Sequence, residues 1–312
     1  MRNILRLLLV AVAICMTACE KVVLDEAEEV AQQPVENNGD EDAGTPQNTT
    51  SGNLVLRVVG FNVVPFDTRA TENIADYCTR LNFVVYREGK KVKAITQKKG
   101  EASYGQVAME LDGGDYQVLV VAHSSEGNPS LATPTKIQFT NDDGFSDTFY
   151  YYGDVSVSDE QKQQDVMLER VTSMLRFTTE DPVPATVKQM RLYFTGGSGA
   201  LDATTGFGCV NSQQCVFFDI TPDMVGKPLT METYTILKAE TAKLDLIVTA
   251  YATDEAYGGV KVLVEKEFKT VPMERNKITQ YSGWFFAERP QTEHNFQLVA
   301  DTEWGGQTNV SY

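Results

Sequence analysis

Histidine is nearly absent from this 312-residue chain: His123 and His294 are the only two. No nucleophile elbow of the GxSxG type occurs, so a serine triad lacks both its strained turn and a base beside it. No P-loop signature occurs either. Residues 196–208, GGSGALDATTGFG, are rich in glycine, but no helix follows whose N-terminus would receive a phosphate. The cysteines have no histidines at zinc spacing. Beyond the N-terminus no apolar run is long enough to span a bilayer, and residues 54–170 show no sustained 3.6-residue apolar stripe. Cationic charge is also short, with 27 Lys and Arg against 43 Asp and Glu and a formal net charge of -16. That balance repels nucleic-acid phosphates and anionic lipid. The expectation is a chain with no enzymatic activity, no cofactor and no metal.

What is present begins at the N-terminus. Arg2 and Arg6 precede LLLVAVAIC (7–15), an apolar core too short for a permanent span, and Met16, Thr17 and Ala18 lead into Cys19. This reads as a secretory signal over 1–18. A small residue before a cysteine is also how a lipobox looks, and that likeness implies cleavage after Ala18 and acylation of Cys19. Several acyl chains hold a protein on a membrane far more firmly than one, at about 0.8 kcal/mol per buried CH2. From Glu20 to Asn53 nine acidic residues stand against Lys21 alone, without an aromatic. Residues 19–52 are therefore expected to be a self-repelling spacer with too little apolar surface to offset the entropy of ordering.

The pattern then turns to period two. Strands are expected over 54–66, over 81–95 as a hairpin about Glu88-Gly89-Lys90, and over 106–111, 116–123, 136–140, 147–157 and 164–170. YQVLVVAH (116–123) is continuously apolar and suits a strand buried on both faces. A second series covers 171–179, 186–197, 214–221, 230–237, 244–252, 260–268 and 277–286, with a hairpin turn over 254–259. Pro182 and Pro184 forbid a central strand between the first two of these, and 196–208 is expected as a long surface loop. The fold class is all-β, with turn signals spaced as in a sandwich. The halves divide at 53–170 and 171–288, where strands nearly run together and the joint must be short and rigid. In the tail, 289–312, Phe296, Leu298 and Ala300 share one face of a last strand.

Few residues invite a chemical reading. Cys15 leaves with the signal and Cys19 takes the lipid, which leaves Cys78, Cys209 and Cys215 in a disulfide-permissive compartment. Cys209 with Cys215 is the favoured bridge and Cys78 with Cys209 its rival. His123 ends a buried run, where a ring hydrogen-bonded to its neighbours is expected, and His294 is expected in solvent. Asn141, Asp142, Asp143 and Asp147 carry oxygen ligands suited to calcium but lack the twelve-residue loop and closing Glu of an EF-hand, so a turn is the plainer account. Phe149, Tyr150, Tyr151 and Tyr152 read either as core and packing between halves or as a glycan-stacking platform, half the run being core in both cases.

Several stretches together carry a resemblance. They are CTRLNFVVYREGKKVK (78–93), GDYQVLVVAHSSEGNPS (114–130), FTNDDGFSDTFYYYGD (139–154), LERVTSMLRFTTEDPVPATVK (168–188), FTGGSGALDATTGFGCVNS (194–212) and VPMERNKITQYSGWFF (271–286). In order and spacing this resembles the major- and minor-fimbria anchor subunits, outer-membrane lipoproteins of Bacteroidota type. The resemblance implies two transthyretin-like Greek-key β-sandwich domains in tandem, lipid attachment at Cys19, and a role in cell adhesion at the base of a surface fimbrium. Its implied partners are fimbrial shaft subunits, met by β-strand complementation, and the outer membrane. Glu20, Asp25 and Glu26 resemble surface-export signals of such lipoproteins. Shaft subunits of related families are freed of their first strand by an arginine-directed protease. Cleavage at Arg69 here would sever the lipid end from the body, so an uncleaved Arg69 is expected. The tail strand 294–300 is expected to complete its own domain rather than a neighbour's. A second functional reading is a glycan-binding lipoprotein of a nutrient-uptake system, with the tyrosines as its platform.

Overall fold

Val, Ile, Thr, Tyr and Phe restrict χ1 and pack well on a pleated surface, so runs of them favour extended chain. The computed structural model describes residues 52–62, 73–139, 145–254, 259–287 and 307–311, and almost all of its ordered elements are strands. The first half holds β1 (Leu54–Phe61), a 3-10 turn (Ile74–Asp76), β2 (Arg80–Arg87), β3 (Lys90–Lys98), β4 (Gln106–Met109) and β5 (Gly114–His123). It continues with β6 (Ser130–Thr133), β7 (Lys136–Gln138), β8 (Phe149–Val157) and β9 (Lys162–Arg170). The second half holds β10 (Thr172–Thr179), β11 (Gln189–Thr195), β12 (Ala200–Asp202), β13 (Phe207–Gly208), β14 (Gln213–Asp219) and β15 (Thr230–Ile236). β16 (Thr241–Asp254), β17 (Gly259–Glu274), β18 (Ile278–Gly283) and β19 (Gln307–Ser311) complete it. The chain is all-β.

Each half is built from two layers. In the first, the order β3-β2-β5-β8 continues through β9 into β9-β1-β4. β8 and β9 share only Phe149↔Arg170 and Tyr150↔Glu169, so the sheet turns over at that corner. Leu54, Leu56, Phe83, Val85, Met109, Val118, Val120, Phe149, Val166 and Leu168 meet between the layers. In the second half β14-β11-β16-β17 faces β15-β10-β18-β19 across Leu175, Phe177, Met190, Leu192, Phe194, Leu246, Val248 and Phe285.

The two halves share one strand plan despite sharing no evident sequence repeat. β1 lies parallel to β9 and antiparallel to β4, and β10 lies parallel to β18 and antiparallel to β15. The opposing layers correspond strand for strand in the same chain order. What each half adds to the plan is a short insertion, β6-β7 in the first and β12-β13 in the second. These insertions pair with each other through Ala200↔Gln138 and Leu201↔Ile137.

That pairing overturns one expectation. Residues 196–208 are not a surface loop, because Ser198 and Ala200 are fully buried and Leu201 and Ala203 nearly so. A Cβ on Gly197 would sit 2.1 Å from Thr235 Oγ1, and one on Gly208 would sit 2.3 Å from Ser198 Cβ. The glycines therefore admit close backbone approach, not mobility. The four-stranded sheet β13-β12-β7-β6 covers the outer face of β2 and β5, where Val84, Tyr86, Leu119 and Val121 pack with Ile137, Leu201, Val171 and Ile236. This is why β5 is buried on both faces.

The tail differs as well. Residues 294–300 lie outside the described residues, as do Arg69, His294 and the turn 255–258. Residues 307–311, beyond the expected tail strand, form β19 and pair parallel to β18.

Candidate functional site

The run Phe149–Tyr152 lies on β8, and the pleat sends alternate rings to opposite faces. Phe149 and Tyr151 join the first core, with Tyr151 Oη accepting from Gln164 Nε2 at 2.7 Å. Tyr150 and Tyr152 turn to the cluster under the joint sheet. Burial raises the phenol pKa of Tyr150 and of Tyr152. Phe149 is buried and the three tyrosines are half-buried, so the run packs on both faces of β8.

Arg170, the last residue of β9, is the largest fully buried side chain. Its Nε and Nη2 donate to Asp147 Oδ1 and Oδ2 at 2.8 and 2.9 Å, and its Nη1 donates to Asn276 Oδ1 at 3.2 Å. The guanidinium also lies 4.9 Å from the centroid of Phe149. Thr172 Oγ1 adds a donor to Asp147 at 3.0 Å. Desolvation raises the Asp147 carboxyl and lowers the Arg170 guanidinium, each against the pull of the other. Asp147, considered above with 141–143 as an oxygen ligand, is thus committed to the joint between halves, while 141–144 lie outside the described residues. Nothing in the sequence marks this pair, whose members are 23 positions apart.

Asp181 stands beside Pro182, and only the prolines of that stretch carry a signal in the sequence. Its buried carboxylate accepts from the backbone N–H groups of Phe285, Phe286 and Ala287 at 2.8, 2.7 and 2.8 Å. Three successive amides converging on one anion fix the chain where it leaves β18.

His123 is fully buried, with Nε2 3.0 Å from Asn82 Oδ1 and its ring edge-on to Phe139. Asn82 Nδ2 donates to Thr96 Oγ1 and Asn128 Oδ1, which joins the histidine to a buried polar network. A histidine held this way is part of the core. Among the described residues no group of His, Cys, Asp and Glu is gathered as a metal site.

Cys78 is sealed in the first core, and burial pushes its thiol far above its ordinary value. Cys209 is exposed and Cys215 is half-buried on β14. All three stand as thiols. A bridge from Cys78 to Cys209 would have to draw a fully buried sulfur out of its core.

Sheet edges present main chain that a partner can engage. β3, β4, β6, β13, β14, β15, β17 and β19 end their sheets. β17 is the longest of these, and its Val260, Val262 and Leu263 are 56, 51 and 37% exposed. Lys261, Glu265, Lys266, Glu267 and Lys269 are interleaved with them, the charge pattern that keeps an edge from pairing indiscriminately. β3 carries Lys90, Lys91, Lys93 and Lys98.

Comparison with known proteins places these features. A family model described as fimbrillin-A associated anchor proteins Mfa1 and Mfa2 matches residues 42–257. No curated protein matches the chain in sequence. Among solved structures, the fimbrial anchor protein Mfa2 from Porphyromonas gingivalis aligns with a TM-score of 0.41 at 12% identity, over 68% of this chain and 80% of that one. A candidate adhesin from Bacteroides ovatus aligns at 0.45 and 15%, over 70% and 89%. A protein from Bacteroides thetaiotaomicron described as a candidate polysaccharide-binding protein aligns at 0.45 and 13%, over 69% and 80%.

Proposed function

This chain belongs to the fimbrillin-A associated anchor protein family, and from that premise we propose that it is a lipid-tethered, non-enzymatic subunit that anchors or terminates a cell-surface fimbrium. The match across 42–257 carries the reading. Cleavage after Ala18 exposes Cys19, and its acyl chains insert in the outer membrane. Residues 19–52 then hold the body off the bilayer.

Residues 53–170 and 171–288 act as two sandwich domains. Their sheet edges meet shaft subunits by strand addition, in which main-chain hydrogen bonds supply affinity and flanking side chains supply register. β17 suits this task, since its length gives many unpaired backbone groups and its valines give an apolar footing. Arg69 stays uncleaved, because a cut there would part the body from its lipid. In the oxidising exterior Cys209 pairs with Cys215 across the loop before β14.

The test replaces the acylated residue. Cys19→Ala should abolish labelling by an alkynyl fatty acid and release the protein, with any fimbriae built on it, into the medium. Fimbriae that stay attached at normal length in Cys19→Ala cells would refute anchoring through this chain.

A further inference from the structure

Strand direction determines how this molecule would carry a pull. The chain enters its first half at Leu54, the start of β1, and leaves it at Arg170, the end of β9. These two strands are parallel neighbours, paired from Leu54↔Lys162 to Phe61↔Leu168 with one register shift between Val58 and Gly60. Tension between the segment before Leu54 and the second half therefore draws β1 toward its own start and β9 toward its own end. The strands must slide past each other, and the hydrogen bonds between them bear load together. Antiparallel neighbours pulled apart from one end open one pair at a time.

We propose that β1 and β9 form a mechanical clamp that resists, in shear, tension passing from the N-terminal segment into the body. The site where tension enters is reinforced beyond the ladder. Asn53 Nδ2 donates to Leu111 and Ser158 carbonyls, and Asn53 Oδ1 accepts from Leu111 N. Lys162 N donates to Asn53 O, and Gln161 Nε2 to Gly52 O. Midway along, Arg57 forks onto Asp165, its register partner, at 2.9 and 2.7 Å. At the far end Asn62 N donates to Leu168 O. β4 holds the other edge of β1.

Load leaving β9 meets the buried Arg170–Asp147 pair and then β10, which is itself parallel to β18 from Met174↔Ile278 to Thr179↔Gly283. The second half thus repeats the parallel pairing with its first strand and β18, and β18 is in turn parallel to β19. This inference stands on strand direction and does not need the anchoring role to be correct.

Single-molecule stretching of the chain from Glu20 to Tyr312 tests it. One axis runs between the two chain ends. The other runs between the N-terminal end and a handle at Gly113, in the exposed turn after β4, so that the antiparallel pair Leu54↔Met109 is pulled open from one end. At equal loading rate the end-to-end axis should rupture the first half at about twice the force of the Gly113 axis or more, since the parallel ladder shares its load. The event is identified by its length, roughly 400 Å of released chain for residues 54–170 on the end-to-end axis, against roughly 480 Å for residues 172–311 of the second half, and roughly 200 Å for residues 54–113 on the Gly113 axis. Equal forces on the two axes, or a weaker end-to-end rupture of the first half, would overturn the clamp whether or not the protein anchors fimbriae.

Discussion

Arg170→Met isolates what the charged joint contributes. Methionine keeps an unbranched stem in a site where the arginine side chain is 0% exposed, but it removes the fork onto Asp147 and the bond to Asn276. Asp147, whose side chain is 19% exposed, then keeps only the Thr172 hydroxyl among its side-chain donors. Removing one partner of a buried ion pair costs about 3–5 kcal/mol, and the partial exposure of Asp147 places this case near the lower end. Urea unfolding followed by circular dichroism reads the loss directly. In a thermal melt it corresponds to a shift of about 6–12 °C for a body of this size. Adding Asp147→Asn should return at least about 1 kcal/mol, because the stranded carboxylate is then neutral. A loss below about 1 kcal/mol in Arg170→Met, or a double variant that loses the plain sum of its singles, would refute the account.

Asp181→Ala should cost about 3 kcal/mol or more by stranding three amide donors, read by urea unfolding and by faster proteolysis after Gly283. Gly208→Ala forces a Cβ against Ser198 and should cost about 1–3 kcal/mol in a thermal melt, whereas a true surface loop would tolerate it. Tyr151→Phe should cost about 1 kcal/mol through the lost Gln164 bond, with no change on a glycan array. The Asp165 carboxyl is held below its ordinary value by its hydrogen bond to Arg57. A carboxyl depressed in the folded state stabilises fully above its unfolded value and loses that contribution as pH falls through the folded one. The melting difference between the native protein and Arg57→Met should therefore be present at pH 6 and shrink as pH falls below the ordinary carboxylate range.

Local pattern made most strands legible. Glu88 and Gly89, with φ of 53° and 74°, make the tight turn between β2 and β3, where the glycine takes the left-handed backbone freely and the glutamate does not, so Gly89 is the part of the signal that pattern made legible. The unbroken run from Tyr116 to His123 announced burial on both faces, though not what covers the second face. The cover is the segment 196–208, whose glycines read as loop because a one-dimensional pattern cannot distinguish glycine needed for freedom from glycine needed for closeness. Asp147, Arg170 and Asp181 were invisible as partners for a related reason: ionic pairing and amide capture depend on distance in space, and these contacts span 23 to 106 positions in sequence.

By itself the sequence determined the all-β class, most strand positions and, through an ordered likeness along its length, the family. These rest on side-chain shape and period two, which act between near neighbours. Tertiary structure alone decided that the two halves share one strand plan, that their insertions pair to close the joint, and that first and last strands run parallel. Strand order and direction are set by which apolar faces meet, a property of packing between distant segments that no local pattern encodes.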